Sequence, residues 1–316
     1  MFDSALRAKL NINSGEKNLT PDTPLIRTIG LLGAGTMGHG IAQVAAAAGF
    51  NVILRDVDEE SLARGRQAIE RNLAKGIKLG KLSEEDRAQT LARISTTTDM
   101  RDLASADLII EAVPEHLELK QSLLRDCQAV SSAHCIWASN TSSLSITEMA
   151  GVATRPDKVV GMHFFNPVHL MRLVEIVAGE RTSENTIEAV RVVARRMEKE
   201  PIVVRDVPGF ASSRLGVTLG LEAMRMVEQG VASARDIDTA MELGYNHPMG
   251  PLRLTDLVGL DVRLSIAEYL HGKLGSETFR PPEILRRMVT EGKLGKKSGE
   301  GFYKWSEQEA THKAYT

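Results

Sequence analysis

The stretch Gly33-Ala-Gly-Thr-Met-Gly38 lies between an apolar run at residues 26–32 and an alanine-rich segment. Gly33 permits a tight turn, Gly35 lets a pyrophosphate approach the backbone, and Gly38 allows the following helix to pack closely on the strand. The amino terminus of that helix presents free amide groups to an anion. The pattern therefore predicts a Rossmann-like dinucleotide-binding unit. The residues that we expect to contact the cofactor here are Gly33, Gly35, Thr36, Met37 and Gly38.

Asp56 ends the next strand candidate, at the distance from the glycines where a ribose-binding carboxylate is expected. A carboxylate there binds the two ribose hydroxyls and repels a 2′-phosphate, which favours NAD over NADP. Arg55 is a competing feature, because an arginine at this point accommodates the extra phosphate. The alternative is an ordinary glycine turn with a surface aspartate, and the strand and helix around the turn favour the cofactor site.

Composition sets limits on the class of protein. The chain has 316 residues, of which 42% are apolar and 25% charged, so we expect about two globular domains. A net charge of -2 argues against a nucleic-acid partner, and no apolar run reaches the length of about 18 residues that a membrane span needs. Cys127 and Cys135 lack a C-x-x-C motif and are expected to be reduced thiols of a cytoplasmic protein.

The chain divides into an alternating part and a helical part. Residues 25–206 alternate β-branched runs with helical stretches, which predicts an NAD-binding domain around a parallel α/β sheet. Its longest helical stretch, residues 58–93, is expected to project as a helical hairpin. Residues 207–305 predict a helical domain for substrate binding and dimerisation. The strand candidates are residues 26–32, 51–56, 108–111, 135–139, 159–164, 173–177 and 201–204.

Segments outside these two domains are expected to be tails. Residues 1–24 are rich in polar residues and proline and lack the apolar core of a signal peptide, so we expect a mobile tail. Residues 306–316 are expected to form a second, shorter tail. Residues 215–227 are apolar on more than one helical face, which requires a second packing partner. Self-association would supply that partner.

A second motif, Gly161-Met-His-Phe-Phe-Asn-Pro167, suits the oxidation of an alcohol. His163 lies at the end of a strand candidate, where ligands bind in open α/β sheets. Glu175, on or near the next strand, can accept a hydrogen bond from one ring nitrogen and leave the other as a base. The alternative is that His163 is an ordinary core residue in an aromatic, partly apolar run. No ligand spacing for zinc is present, so the alcohol proton must pass to a side chain.

Two further patterns each have a functional and an ordinary interpretation. Asn140-Thr-Ser-Ser143 follows an apolar strand and presents hydroxyl and amide groups, but Ser and Asn are also typical of turns and helix caps. A helical stripe of basic residues could attract the phosphates of an anionic carrier such as coenzyme A, or simply be a solvated face. The stripe consists of Arg71, Lys75, Lys78 and Lys81.

From residue 26 to residue 305 the chain resembles the NAD-dependent 3-hydroxyacyl-CoA dehydrogenases, particularly the 3-hydroxybutyryl-CoA type. The motifs that carry this resemblance are the glycine-rich turn, Ser139-Asn-Thr-Ser-Ser-Leu144, His163-Phe-Phe-Asn-Pro167, Val207-Pro-Gly-Phe210, Asp236-Ile-Asp-Thr-Ala-Met241, His247-Pro-Met-Gly-Pro251 and Gly299-Glu-Gly-Phe-Tyr303. Together they are highly specific.

The resemblance implies a Rossmann-like domain, a helical carboxy-terminal domain that forms a homodimer, and an acyl-CoA substrate bound between the two domains. It implies that His163 is the catalytic base and Glu175 its partner, and that Ser142 and Asn166 contact the cofactor and the substrate. At Ser213 the family often has an asparagine near the substrate. The positions that the resemblance places at NAD are Glu115, Lys120 and Lys297.

The expected reaction is reversible oxidation of a (3S)-3-hydroxyacyl-CoA, with Lys75 and Lys78 as candidate contacts for the carrier. Two alternatives stay open. A related dehydrogenase of L-gulonate, carnitine or another small hydroxy acid would share the scaffold without a CoA site. A non-catalytic NAD-binding sensor or crystallin-type protein would share the fold alone.

Overall fold

The computed structural model describes residues 25–305, so the two tails predicted for residues 1–24 and 306–316 lie outside the described residues. Eight strands in the described range form one sheet. They are β1 (Thr28–Leu32), β2 (Asn51–Arg55), β3 (Ile94–Thr97), β4 (Leu108–Glu111), β5 (Ile136–Ser139), β6 (Val159–Phe164), β7 (Leu173–Ala178) and β8 (Glu200–Arg205). Their order across the sheet is β3-β2-β1-β4-β5-β6-β7-β8.

Two features of this sheet differ from the sequence prediction. Strand β3 was not predicted, because of its four residues only Ile94 is buried and the apolar signal is correspondingly weak. Strands β6 and β7 are antiparallel, whereas the other pairs in the described sheet are parallel as predicted. The reversal follows from the short connection between β6 and β7, which is too short for the crossover that a parallel pair requires.

Helices cover the sheet and bury its apolar residues. The glycine-rich turn leads into α1, whose buried side chains include Ile41, Ala42 and Ala45 in the main core. The helices of this part are α1 (Thr36–Ala47), α2 (Glu59–Lys78), α3 (Glu84–Ala92), α4 (Leu117–Val130), α5 (Ile146–Ala150) and α6 (Glu184–Arg196).

Helices α2 and α3 form the predicted hairpin. Leu62, Ile69 and Leu73 of α2 are buried in the main core, so one face of the hairpin packs against the domain. The reason is the amphipathic spacing of these residues, which places them on one face of α2. Helix α2 ends at Lys78, so the prediction that Lys81 continues the basic stripe on this helix is wrong. Gly80, with a φ of 68°, turns the chain there.

The chain divides into two compact units, with Val207 ending the first and Pro208 beginning the second. The described part of the second unit contains five α-helices around a separate apolar core. These are α7 (Ser212–Glu228), α8 (Ala234–Gly244), α9 (Pro251–Val258), α10 (Leu260–Leu274) and α11 (Glu283–Thr290). The predicted α/β domain followed by a helical domain is therefore confirmed.

Asp256 on α9 fixes residues 302–305 of the second unit. Its two carboxylate oxygens accept hydrogen bonds from the backbone N–H groups of Phe302 and Tyr303 and from Nε1 of Trp305. Burial raises the pKa of this carboxyl group, and these hydrogen bonds oppose the rise. Among the described residues, no helix is both long enough and apolar enough to cross a membrane.

Candidate active site

The glycine-rich turn has the geometry that close approach of a phosphate requires. Gly33 has a φ of 95°, and its N–H donates a 2.8 Å hydrogen bond to the carbonyl of Arg55. A side chain at Gly38 would collide with the carbonyl oxygen of Gly33, so the turn and α1 are packed as closely as backbone allows. In contrast, no heavy atom lies within 4 Å of the position where Gly35 would carry a Cβ. The turn therefore leaves no free space beside Gly38, whereas the space beside Gly35 is open.

Asp56 lies beside this turn at the end of β2. Its Oδ2 accepts a 2.6 Å hydrogen bond from the N–H of Ala34, and its Oδ1 accepts one from the N–H of Val57. Nε of the neighbouring Arg55 donates a hydrogen bond to the carbonyl of Thr98 at 3.3 Å. A carboxylate next to the open side of the turn is the arrangement that suits the ribose hydroxyls of NAD.

His163 and Glu175 face each other directly across the antiparallel pair of β6 and β7. Nδ1 of His163 lies 2.8 Å from Oε2 of Glu175. The glutamate is fully buried and the histidine is 7% exposed, so the pair is shielded from water on the glutamate side. The ring of Phe165 lies 4.5 Å from the imidazole, centroid to centroid. The structure thus brings together the two side chains that the sequence analysis paired.

Asn140 holds the strand that carries His163, a role that the sequence analysis did not identify. The backbone pairing of β5 with β6 ends at Ser139 and Gly161. Beyond that point Oδ1 of Asn140 accepts a 2.9 Å hydrogen bond from the N–H of Phe164. The carboxamide therefore continues the sheet next to His163 where the β5 backbone no longer does.

A buried network of charges supports the loop after β5. Lys120 and Glu111 are 1% and 0% exposed, and Nζ of Lys120 lies 2.7 Å from Oε1 of Glu111. The other oxygen of Glu111 accepts a hydrogen bond from Ser139 at 2.7 Å. Nζ of Lys120 also lies 3.1 Å from Oε2 of Glu115. The single ammonium group thus joins the carboxylate of Glu111, which ends β4, to that of Glu115, which follows the strand.

Glu115 fixes the segment that contains Ser142. Its Oε1 accepts hydrogen bonds from the Thr141 hydroxyl at 2.5 Å, from the Ser142 N–H at 3.1 Å and from the Ser143 hydroxyl at 3.3 Å. The charge of Lys120 and the hydrogen bonds of this network lower the pKa of Glu115 in spite of its burial. Of the remaining predicted residues in this unit, Asn166 is exposed just after β6, before a cis peptide bond to Pro167.

The basic stripe lies beside two histidines. Arg71, Lys75 and Lys78 are exposed on α2. Burial, followed by the charges of Lys199 and Lys75 and by that of His39, lowers the pKa of His169. Burial likewise lowers the pKa of His39, whose Nδ1 lies 2.8 Å from the carbonyl oxygen of Gly35.

Ser213 and Lys297 lie in the second unit. Ser213 is the second residue of α7 and is half-buried, while the N-cap position is occupied by Ala211. Ser213 is therefore not the capping residue of the helix. Lys297 is half-exposed and its Nζ lies 2.6 Å from Oδ2 of Asp261. No ligand contact of either residue follows from this geometry, so both remain predictions.

Comparison with known proteins identifies the family. The model of the 3-hydroxyacyl-CoA dehydrogenase NAD-binding domain matches residues 28–207, and that of the 3-hydroxyacyl-CoA dehydrogenase C-terminal domain matches residues 209–305. The chain belongs to the 3-hydroxyacyl-CoA dehydrogenase family. The predicted family, the NAD cofactor and the assignment as an NAD-dependent oxidoreductase are therefore confirmed.

Relatives of this dehydrogenase match it over most of its length. A probable 3-hydroxybutyryl-CoA dehydrogenase of Deinococcus radiodurans is 46% identical over 276 residues, which cover 87% of this chain and 99% of the relative. One from Bacillus subtilis is 45% identical and covers 90% and 99%. The crystal structure of (S)-3-hydroxybutyryl-CoA dehydrogenase from Ralstonia eutropha superposes with a TM-score of 0.87 at 42% identity, covering 90% of this chain and all of that one.

The residues of the dehydrogenase fit NAD at the glycine-rich turn. The open space in front of Gly35 leaves room for the pyrophosphate, and the amino terminus of α1, which no side chain caps, presents its amide groups there. Asp56 would supply the carboxylate for the ribose. When bound, NAD supplies the nicotinamide that accepts a hydride.

Proposed function

We propose that this dehydrogenase interconverts a (3S)-3-hydroxyacyl-CoA and the 3-oxoacyl-CoA, with a short-chain substrate such as 3-hydroxybutyryl-CoA. The observation that carries the proposal is the 2.8 Å contact between Nδ1 of His163 and Oε2 of Glu175. A carboxylate at this position holds the Nδ1–H tautomer, in which the basic lone pair belongs to Nε2. The names and identities of the relatives support the choice of substrate.

In the proposed mechanism, Nε2 of His163 accepts the proton of the substrate hydroxyl as the hydride leaves C3. Glu175 stabilises the imidazolium that forms, because its buried negative charge lies against the opposite ring nitrogen. Ser142 and Asn166 are proposed to position the reacting oxygen. The hydrogen bonds that Glu115 accepts from residues 141–143 support this role for Ser142, because they fix the backbone next to its hydroxyl group.

The carrier part of the substrate is proposed to meet the basic stripe on α2. Arg71, Lys75 and Lys78 are exposed and follow one another at helical spacing. Phosphates bound to such a surface remain partly solvated, so salt should weaken binding. Lys75 and Lys78 are the proposed contacts. We further propose that Glu115, Lys120 and Lys297 belong to the NAD site.

A homodimer is proposed from the second unit. Leu215, Leu243 and Tyr245 are 71%, 82% and 75% exposed, which is unusual for three large apolar side chains in one small helical unit. A second copy of this unit would cover them. We place the protein in the cytoplasm, a proposal supported by the bacterial relatives and by Cys127 and Cys135, which are free, buried thiols.

The test is an NADH-formation assay on the purified protein with four substrates: 3-hydroxybutyryl-CoA, a longer 3-hydroxyacyl-CoA, L-gulonate and carnitine. We expect turnover of the CoA thioesters alone, and a loss of about 10²–10⁴-fold in kcat for His163→Ala with nearly unchanged NAD affinity. Turnover of L-gulonate or carnitine in place of the thioesters would show that the substrate is a small hydroxy acid and not an acyl-CoA. NAD binding without any turnover would identify a sensor.

A further inference from the structure

The connection between β6 and β7 contains a compact turn at residues 167–171, directly after Asn166. The carbonyl oxygen of Pro167 accepts hydrogen bonds from the N–H groups of Leu170 and Met171, at 2.9 and 3.0 Å. These two bonds close the 167–171 turn. The side chain of Asn166 is exposed, so core packing does not hold it. The position of this carboxamide therefore depends on the backbone of the turn that follows it.

Val168 attaches one side of the 167–171 turn to α1. Its side chain is 2% exposed and belongs to the main core. A Cβ atom at Gly40 of α1 would come within 2.9 Å of Cγ2 of Val168, so the glycine makes room for the turn. Apolar packing thus fixes the 167–171 turn on the side of the helix that follows the glycine-rich motif.

Lys199 attaches the other side of the 167–171 turn. Its Nζ donates hydrogen bonds to the carbonyl oxygen of Val168 at 2.5 Å and to that of Met171 at 2.9 Å. The two acceptors lie on either side of His169 and Leu170 in the chain. One ammonium group therefore joins both arms of the turn to the segment between α6 and β8.

The end of α6 directs Lys199 toward the turn. Glu198 has a φ of 59°, in the left-handed region, and the N–H of Lys199 donates a 3.0 Å hydrogen bond to the carbonyl of Ala194. This is the pattern of a Schellman motif at a helix end. The N–H of Glu200 then donates a 2.7 Å hydrogen bond to the carbonyl of Arg172, just after the turn. Backbone hydrogen bonds therefore fix the chain on both sides of Lys199.

The place of Lys199 is costly for an ammonium group. The residue is 7% exposed, and within residues 25–305 it has no carboxylate partner. Burial lowers its pKa, and the charge of Glu198 opposes this shift only in part. A methionine would fill the same place without the desolvation cost. What Lys199 contributes beyond such a residue is its pair of N–H donors to the turn.

We propose that Lys199 is a positioning residue of the dehydrogenase, which holds the 167–171 turn so that Asn166 meets the reacting oxygen of the substrate. This inference rests on the proposed function, which places Asn166 at that oxygen. A misplacement of about 1 Å can reduce the rate of an enzyme by about 10²-fold. Lys199 needs no contact with the substrate for this role, because it acts through the turn.

A double-mutant cycle on Lys199 and Asn166 tests the inference, with 3-hydroxybutyryl-CoA as substrate. Lys199→Met should lower kcat/KM at least about tenfold, the equivalent of about 1.4 kcal/mol, and leave the Kd for NAD nearly unchanged. In an Asn166→Ala background the same substitution should lower kcat/KM less than about twofold, because the side chain that it positions is gone. A residue that only stabilises the fold would cause the same loss in both backgrounds.

Two further variants serve as controls. Lys199→Arg keeps N–H donors for the two carbonyl oxygens and should retain part of the activity. Lys273→Met removes an exposed lysine of the second unit and should behave as the wild type. If Lys199→Met does not fold, Lys199→Gln takes its place in the cycle, since the amide is uncharged and of similar length.

Three results would overturn the inference. Equal losses of kcat/KM in the two backgrounds, or a folded Lys199→Met variant with the kcat/KM of the wild type, would show that Lys199 does not act through Asn166, and the dehydrogenase activity would stand. An Asn166→Ala variant with wild-type kcat/KM would remove Asn166 from the reacting oxygen and the inference with it. A wild type that does not oxidise 3-hydroxybutyryl-CoA would instead refute the proposed function itself.

Discussion

The ammonium group of Lys120 lies 2.7 Å from Glu111 in a place where neither side chain reaches solvent. Ser139, Glu115 and, through Glu115, the segment 141–143 depend on this pair for their hydrogen-bond geometry. The two carboxylates of Glu111 and Glu115 and the ammonium group of Lys120 therefore stabilise the loop that carries Ser142.

Removing the ammonium should be strongly destabilising. We expect Lys120→Met to lower the free energy of unfolding by about 3–5 kcal/mol, because Glu111 is left buried without a counter-charge. Neutralising the glutamate as well, in Lys120→Met/Glu111→Gln, should recover a large part of the loss. Urea denaturation monitored by circular dichroism measures the free energy of unfolding of both variants. Lys78→Met, at an exposed position, is the control, and a loss for Lys120→Met no larger than for this control would contradict the network.

Glu175→Gln tests the role of the buried carboxylate. An amide keeps the size of the side chain but removes the charge that stabilises the imidazolium. We expect kcat to fall at least about tenfold, which corresponds to about 1.4 kcal/mol of lost transition-state stabilisation. A folded variant with wild-type kcat would disprove the pairing.

Asp56→Asn tests the preference for NAD. The amide retains one acceptor oxygen, so it can keep the hydrogen bond from the N–H of either Ala34 or Val57, and it removes the charge that opposes a 2′-phosphate. The wild type should favour NAD over NADP by at least about tenfold in kcat/KM, and the variant should narrow that ratio. The ratio is measured with both cofactors at saturating substrate. Equal use of both cofactors by the wild type is the contrary result.

His39 and His169 should make stability depend on pH. Burial lowers the pKa of both imidazoles, so folding favours their neutral forms. Their contribution is fully present above the ordinary histidine pKa of about 6.5 and is lost as the pH falls through the lower pKa of the folded state. When the pH is lowered from 7.5 to 5.5, we expect the free energy of unfolding to fall less in the double variant His39→Gln/His169→Gln than in the wild type. Urea denaturation at the two pH values measures this difference. An equal fall in the free energy of unfolding of the wild type and of the variant would show that these two histidines do not contribute to the pH dependence.

The CoA proposal predicts a salt effect that separates the carrier from the acyl chain. Lys75→Ala/Lys78→Ala should raise KM for 3-hydroxybutyryl-CoA more than for its pantetheine analogue, because only the former carries the nucleotide phosphates. Added salt should reduce the difference, since exposed charges are screened beyond about 8 Å at physiological ionic strength. KM measured for both substrates at two salt concentrations decides it. Equal changes for both substrates would show that the stripe is a solvated surface.

The sequence predicted the elements with strong local signals. The turn at Gly33 and the strand that carries His163 were predicted from glycine spacing and apolar runs, and the structure contains both. Strand β3 was missed because its pairing with β2 stabilises a segment with little apolar character of its own. Lys81 was placed on α2 because helical spacing alone does not show where a helix ends.

Long-range contacts of single side chains could not be predicted. The hydrogen bond of Asn140 to Phe164 depends on where β5 and β6 diverge, which no local pattern reports. The burial of Lys120 and Arg263 is equally invisible in the sequence, because lysine and arginine are normally exposed. Such residues become informative only when the structure shows which charges surround them.

The antiparallel pairing of β6 with β7 makes the alignment of His163 and Glu175 a matter of strand register. Successive side chains of a strand point to opposite faces, so a slip of one residue would move Glu175 to the other side of the sheet and separate the pair. The connection between these strands can therefore vary in length and sequence without separating His163 from Glu175, provided that the two strands keep the same pairing register. Protein engineers who wish to graft this histidine and carboxylate onto another sheet need to transfer two paired strand positions, and no loop.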